Sequence, residues 1–229
     1  MKGICILLPY IYETHAHTAE VSRCGRIPAF EVVQNYIEAG YSGLIVTDHI
    51  NHSAFRKIPD AGWDEKVTHF MTGFQTAADA AAALNPNFKV LFGAELRLDG
   101  ADNDYLLFGV SEEFLRAHPD LMQMRFSEMA DCVHQAGILL VQAHPFREDM
   151  TIVDWTLLDG VEAFNGNPSH ESNNPIADAW ADRHGLLKTS GSDYHGDWGE
   201  KTGGIRTAEP IKDNAHLLQI LRNGQYELA

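Results

Sequence analysis

The chain has 229 residues, 45% of them hydrophobic, and its 17 basic against 32 acidic side chains give a formal net charge of −15. That length and apolar content suffice for one α/β barrel with a full core. No cluster of Lys or Arg follows a phosphate backbone, so duplex nucleic acid is not an expected partner, whereas a small anionic substrate stays open because a bound metal supplies positive charge that a side-chain count misses.

Taken in chain order, apolar runs of strand length predict β-strands over 4–15, 43–48, 89–96, 105–110, 138–143, 161–165 and 186–190. Between them, PAFEVVQNYIEAG, EKVTHFMTGFQTAADAAAAL, RFSEMADCVHQAG and NPIADAWADRHG carry apolar residues at helical spacing, three of them with Gly where the helix should stop. Strands alternating with helices predict an α/β fold with parallel strands, and about seven such units predict a barrel. No repeat or Gly/Ser linker marks a boundary, so one domain over 1–229 is the simplest reading. Cys5, Cys24 and Cys132 are scattered without a Cys-x-x-Cys pair, which argues against a disulfide framework or a zinc ribbon and fits a reducing cytoplasm. The N-terminal apolar run is broken by Pro9 and lacks a small-residue cleavage site, and no stretch reaches the ~20 apolar residues of a membrane span. The expectation is a soluble cytoplasmic protein with no membrane partner.

The unusual entry in the composition is histidine, with 12 residues. In α/β folds the C-terminal strand ends gather the active site. Here the first predicted strand ends at His15 and His17, the second at Asp48 and His49 and the third at Glu95, while His144 follows the fifth and Asp193 and His195 follow the seventh. His15 and His17, two apart, point to the same side of an extended strand. Imidazoles and carboxylates recurring at one topological level point to a shared centre of Zn²⁺, Mn²⁺ or Fe²⁺ rather than a structural zinc site. A carboxylate such as Glu95 can bridge two cations, and a hydroxide held between two metals cleaves a phosphoester without a Ser or Cys nucleophile. By contrast, His69, His134, His184 and His216 fall in predicted helices and His118 follows one, so they read as structural. His52 and His170 lie in loops near the expected mouth and read as solvent-exposed.

HAH, TDH, GAE, AHP, EAFNGN and GSDYH, in that order, resemble the polymerase and histidinol phosphatase (PHP) domain family of metal-dependent phosphoesterases. The resemblance implies a distorted seven-stranded (β/α) TIM-like barrel with two or three divalent metal ions. It implies His15, His17, Glu95 and Asp193 as ligands of a first metal, Glu95 and His144 as ligands of a second, and His49 and His195 as ligands of a third, with Asp48 orienting His49. Many three-metal members carry a further His or Asp seven or eight residues after the first His, where this chain has Ser22, Arg23 and Cys24. Glu20 is the nearest carboxylate for that position and Cys24 a softer alternative. Some members also place a His after the fourth strand, where this chain has Ser111. The expected activity is hydrolysis of a small phosphoester by a metal-bridging hydroxide. Arg147 is the first candidate for a phosphate clamp, with Arg23 and Arg206 behind it; Asn165 binds substrate or holds a ligand in place. Asp193 serves in the reacting centre, and His195 protonates the leaving group if no third metal claims it. The alternatives are a metal-dependent amidohydrolase, which commonly uses a Lys as bridge, and a binding module whose centre has decayed.

Overall fold

Ten strands share one sheet in a computed structural model that describes residues 8–196 and 202–229. They are β1 (Tyr10–Ala16), β2 (Gly43–Val46), β3 (His49–Ile50), β4 (Lys89–Arg97), β5 (Asp104–Phe108), β6 (Leu139–Gln142), β7 (Gly160–Asn165), β8 (Leu187–Gly191), β9 (Ile205–Thr207) and β10 (Tyr226–Leu228). The α-helices are α1 (Ala29–Glu38), α2 (Trp63–Leu84), α3 (Glu112–Ala117), α4 (Phe126–Gln135), α5 (Asn174–His184) and α6 (Asn214–Arg222). Each of the seven expected strands is present, although the first is described only from Tyr10, so its predicted start at 4–7 lies outside the described residues.

The order β1-β2-β4-β5-β6-β7-β8 runs round a nearly closed barrel, with β2 and β3 lying end to end along β4. A parallel bridge between Ala16 and Tyr194 draws the last strand back to the first. There Tyr194 N donates to His15 O at 3.0–3.1 Å, as His17 N does to Tyr194 O. The closure is made by the backbone of the residues that carry His15, His17, Asp193 and His195. A ribbon of β9 and β10, not foreseen in the sequence, adds antiparallel to β1.

The expectation of parallel strands fails at β5, which is antiparallel to both β4 and β6. Only residues 98–103 join β4 to β5, too few for the dozen or more a parallel crossover needs. As a result the N-terminal end of β5, at Asp104, lies with the C-terminal ends of its neighbours. Ser111 lies beyond the opposite end of β5, where its hydroxyl accepts from Phe114 N and caps α3.

Apolar packing occurs in three layers. Tyr12, Ile45, Leu91, Leu106, Phe108 and Val141 cluster with Leu217, Ile220 and Leu221 of α6. Outside the sheet, α1 and α2 cover Leu44 and Val46, while α2, α3 and α4 pack on Phe92, Leu96 and Leu107. Among the described residues no helix is long and apolar enough to cross a membrane.

Candidate metal centre

The register of β1 shifts between Glu13 and Ala16. A bulge re-aims the side chains that follow it, and His15 and His17 both converge on the carboxylate of Glu95 after it. On the other side, the β3–β4 ladder places His49 directly across from Glu95. Glu95, 1% exposed, therefore sits at the centre of four imidazoles: His15 Nε2 at 3.3 Å, His17 Nε2 at 3.3 Å, His49 Nδ1 at 3.0 Å and His144 Nε2 at 3.2 Å. Asp193 Oδ1 faces His17 Nε2 at 3.2 Å and the Nε2 atoms of His15 and His195 at 3.5 Å. Its second oxygen accepts from Arg147 Nη2 at 2.8 Å and from the amides of Asn165 and Asn167 at 3.3 Å. Two of these positions are strained, since His144 and Asp193 have φ of 30° and 50°. Left-handed backbone at non-glycine residues costs of order 1–3 kcal/mol and clusters where function over-determines geometry.

A further set of contacts fixes which ring nitrogen faces the centre. Glu162 Oε1 accepts from His15 Nδ1 at 2.9 Å, so that Nε2 is the ring nitrogen facing Glu95 and Asp193. Ser22 Oγ donates to Asp48 at 2.6 Å and so accepts from His17 Nδ1 at 3.3 Å. Asp48, expected to orient His49, accepts instead from Thr18 N, Thr18 Oγ1 and Ser22 Oγ, pinning the loop after β1. Burial lifts its carboxyl to about 6, against the pull of those donors.

The electrostatics follow from packing bases and acids without water. Burial disfavours charge on every member, but the adjacent imidazoles hold Glu95 and Asp193 well below the usual carboxylate range. Against the same burial penalty, Glu162, Glu95 and Asp193 hold His15 high, and Glu95 with Cys24 holds His49 high. Burial and the neighbouring His195 and His49 push His17 down to about 3. Burial would raise the Cys24 thiol, but the adjacent His195 and His49 imidazoles bring it down to about 7.

The residues fit divalent metals by a direct geometric test. Among the described residues, His15 Nε2, Glu95 Oε2, His49 Nδ1 and His195 Nε2 are buried and make no hydrogen bond, although opposite-charge partners lie within 3.0–3.5 Å. Unaligned donors and acceptors crowded around common points are what a cation satisfies and a hydrogen bond does not. Potential ligand atoms fall into overlapping groups within 4.8 Å of one another: His15, His17 and Glu95; His15, His144 and Asp193; His49, Glu95 and Asp104; and His17, Cys24, His49 and His195.

Of the expected site residues, His15, His17, His49, Glu95, His144, Asp193 and His195 come together, and Glu20 does not. Both of its oxygens accept from Ala29 N, at 2.9 and 3.1 Å, at the N-terminus of α1, where a carboxylate complements the exposed N–H groups. Cys24 stands beside the imidazoles instead. Arg147 lines the cavity over the centre, but one arm of its fork already holds Asp193 and Asn165. Neither Arg23 nor Arg206 lines that cavity: Arg23 borders a separate small pocket with Arg56 and Lys57, and Arg206 pairs with Ile11 at the start of β1. His52 is exposed and pairs with Asp99; His170 is exposed at the cavity rim. Sequence reasoning missed Asp104, bound by Arg97, and Glu162. The short, turn-rich LDGADN before β5 was the available signal for Asp104, because it implies a hairpin.

Replacing Glu162 with Gln tests the orientation of His15. All three partners of this carboxylate are donors: His15 Nδ1, His144 N and Asn165 Nδ2. An amide must turn its NH₂ toward at least one of them. We expect metal affinity to fall by roughly 10–100-fold, read by chelator competition, with the far-ultraviolet circular dichroism unchanged.

The fold is similar to that of solved structures described as PHP-like or metal-dependent phosphoesterases. The chain matches, over its whole length, 69% of a two-domain protein from Bacteroides vulgatus containing a predicted PHP-like metal-dependent phosphoesterase, with a TM-score of 0.70 and 15% identity. It also matches a protein from Bifidobacterium adolescentis assigned as a metal-dependent phosphoesterase (TM-score 0.56, 17% identity, 92% of this chain and 95% of that one). A third structure, an amidohydrolase from Chromobacterium violaceum with bound sulfate, aligns with a TM-score of 0.53 and 18% identity over 80% of this chain and 87% of that one. Among curated proteins, the 3′,5′-nucleoside bisphosphate phosphatase of Chromobacterium violaceum is 38% identical over 87 residues, 33% of this chain. The match spans 30% of that relative's length. No protein-family model matches the chain.

Proposed function

We propose that the protein is a metal-dependent hydrolase of a small phosphoester, with His15, His17, Glu95 and Asp193 holding one divalent metal, Glu95 and His144 a second, and His49 and His195 a third. The observation that carries this reading is the buried Glu95 carboxylate among four imidazoles, with one oxygen lacking a hydrogen bond among the described residues. When bound, such metals supply Lewis acidity for water and for the phosphoryl oxygens. The chain supplies the rest. Glu162 and Ser22 set the His15 and His17 tautomers. Arg147 and the amides of Asn165 and Asn167 hold Asp193 in place. Arg147 Nε, buried and without a hydrogen bond among the described residues, remains as a donor for a phosphoryl oxygen. As a ligand, His195 is not the proton donor, and the leaving group takes its proton from water.

The cavity over the centre has a volume of about 460 Å³, which suits a small molecule. Its wall includes Asp102, Glu148 and Asp149. These acids favour a substrate with one phosphate, lodged at the centre, over a bisphosphate such as the curated relative's name describes. A Lys-bridged amidohydrolase is disfavoured because Glu95 occupies the middle of the cluster, while Lys188 Nζ pairs with Asp178 and Asp182 instead.

Elemental analysis of freshly purified protein, paired with turnover of p-nitrophenyl phosphate and bis-p-nitrophenyl phosphate, tests the proposal. We expect two or three equivalents of Zn, Mn or Fe and faster cleavage of the monoester. Chelator should abolish activity and added metal restore it. Failure to retain metal after reconstitution, with neither ester cleaved, would leave the decayed binding module as the better account.

A further inference from the structure

We propose that Cys24 supplies a thiolate ligand to the metal position formed by His49 and His195, and that this position therefore takes zinc in preference to manganese or magnesium. The inference rests on the metal-centre reading above and deepens it at one position.

Cys24 Sγ and one nitrogen each from His17, His49 and His195 lie within 4.8 Å of one another. His17 Nε2 is directed at Glu95 and Asp193, and its ring stacks between those of His49 and His195, with centroids 4.6 Å from each. That leaves Cys24, His49 and His195 as a three-ligand set beside the first position. Two members of the set, His49 at Nδ1 and His195 at Nε2, are buried atoms with no hydrogen bond among the described residues. Glu95 Oε2, in a residue 1% exposed and likewise without a hydrogen bond, lies 3.0 Å from His49 Nδ1.

The loop carrying Cys24 is fixed rather than incidental. Asp48 grips it at Thr18 and Ser22, Gly25 N donates to Ser22 O at 3.1 Å, and Arg26 N donates to His195 O at 2.7 Å. This last bond ties the residues after Cys24 to the backbone of the histidine it faces. The nearest carboxylate alternative, Glu20, is spent on the N-terminus of α1. Three protein ligands of mixed sulfur and nitrogen match the donor pattern of catalytic zinc. A soft thiolate favours zinc over the harder Mn²⁺ and Mg²⁺.

The test loads the metal-stripped full chain with Co²⁺ and reads its absorption spectrum. Thiolate ligation gives an intense near-ultraviolet charge-transfer band, which should be present in the wild type and in Cys132→Ser and absent in Cys24→Ser. A second measurement needs no variant: alkylation of the wild type, mapped by mass spectrometry, should slow at Cys24 by about tenfold or more when zinc is added and stay unchanged at Cys132. Cobalt bound with visible d–d bands but no charge-transfer band, together with equal alkylation of Cys24 with and without zinc, overturns this proposal and leaves the metal centre standing. No metal bound by the wild type overturns both.

Discussion

Glu95→Gln should lower turnover by roughly 10²–10³-fold, the scale on which one preorganised electrostatic contact is lost, and should remove at least one equivalent of bound metal. The change preserves the shape of the side chain, so packing in β4 is untouched. What it removes is the negative charge at the point where His15, His17, His49 and His144 converge within 3.0–3.3 Å. It also replaces one acceptor oxygen with an NH₂ group, which cannot ligate a cation and would face an imidazole nitrogen. Since Glu95 is within reach of ligands from each proposed position, one substitution weakens all of them, whereas His49→Gln should affect only the position it shares with His195. His69→Gln, on α2 and away from the cavity, is the matched control and should leave both turnover and metal content unchanged. Elemental analysis beside steady-state kinetics reads both quantities on one sample; full metal content in Glu95→Gln would show that the carboxylate is not shared between the cations.

Much of this centre was legible because the chemistry lies at strand ends, where a local apolar pattern locates it. Each of β1, β4, β6 and β8 announces itself as a short apolar run, and the His or carboxylate that terminates it can be read without knowing how the strands pair. The misreadings occur where pairing matters. Ser111 drew attention as the residue after the fourth expected strand, but β5 runs antiparallel and brings Asp104 at its start, not Ser111 beyond its end, to the level of Glu95. Strand direction depends on the length of the connection and on long-range partners, and a reading that looked only at C-terminal ends passed over it. Glu20 failed for a different reason. Carboxylate chemistry favoured it as a ligand, yet its closeness to the N-terminus of α1 in the fold gave it a competing donor in Ala29 N. Nothing local to ETHAHTAEVSRCG distinguishes a loop that turns Glu20 toward the helix and Cys24 toward the imidazoles from one that does the reverse. Asp48 belongs to the same class: adjacency in sequence suggested His49 as its partner, whereas the folded loop offers it Thr18 and Ser22. The strands β9 and β10 were missed because each is only three residues long, below the length at which alternation can be recognised.

The second large effect is expected at a residue with no side chain. Gly191 ends β8 where the barrel closes, and a Cβ added there would lie 2.4 Å from the Cβ of His15, 2.9 Å from Glu162 Oε1 and 3.0 Å from Glu13 Oε1. None of these atoms can yield cheaply. His15 is held by Glu162, and Glu13 Oε1 accepts from the backbone N–H groups of Thr14, His15 and Ser192. Gly191→Ala should therefore force β8 and β1 apart at the bridge between Ala16 and Tyr194, costing about 3 kcal/mol, the upper part of the usual overpacking range. For a chain of this size that corresponds to a fall in Tm of roughly 6–12 °C. Gly62→Ala, with nothing within 4 Å of its added Cβ but at the N-cap of α2, should cost no more than about 1 kcal/mol. Thermal melts of the metal-free proteins isolate the packing term, and chelator competition on the reloaded proteins isolates the ligand term. If Gly191→Ala melts like the wild type, the closure is looser than its contacts indicate. If it melts early but binds metal normally, His15 keeps its aim through Glu162 alone, and the close approach of β8 to β1 serves the barrel rather than the centre.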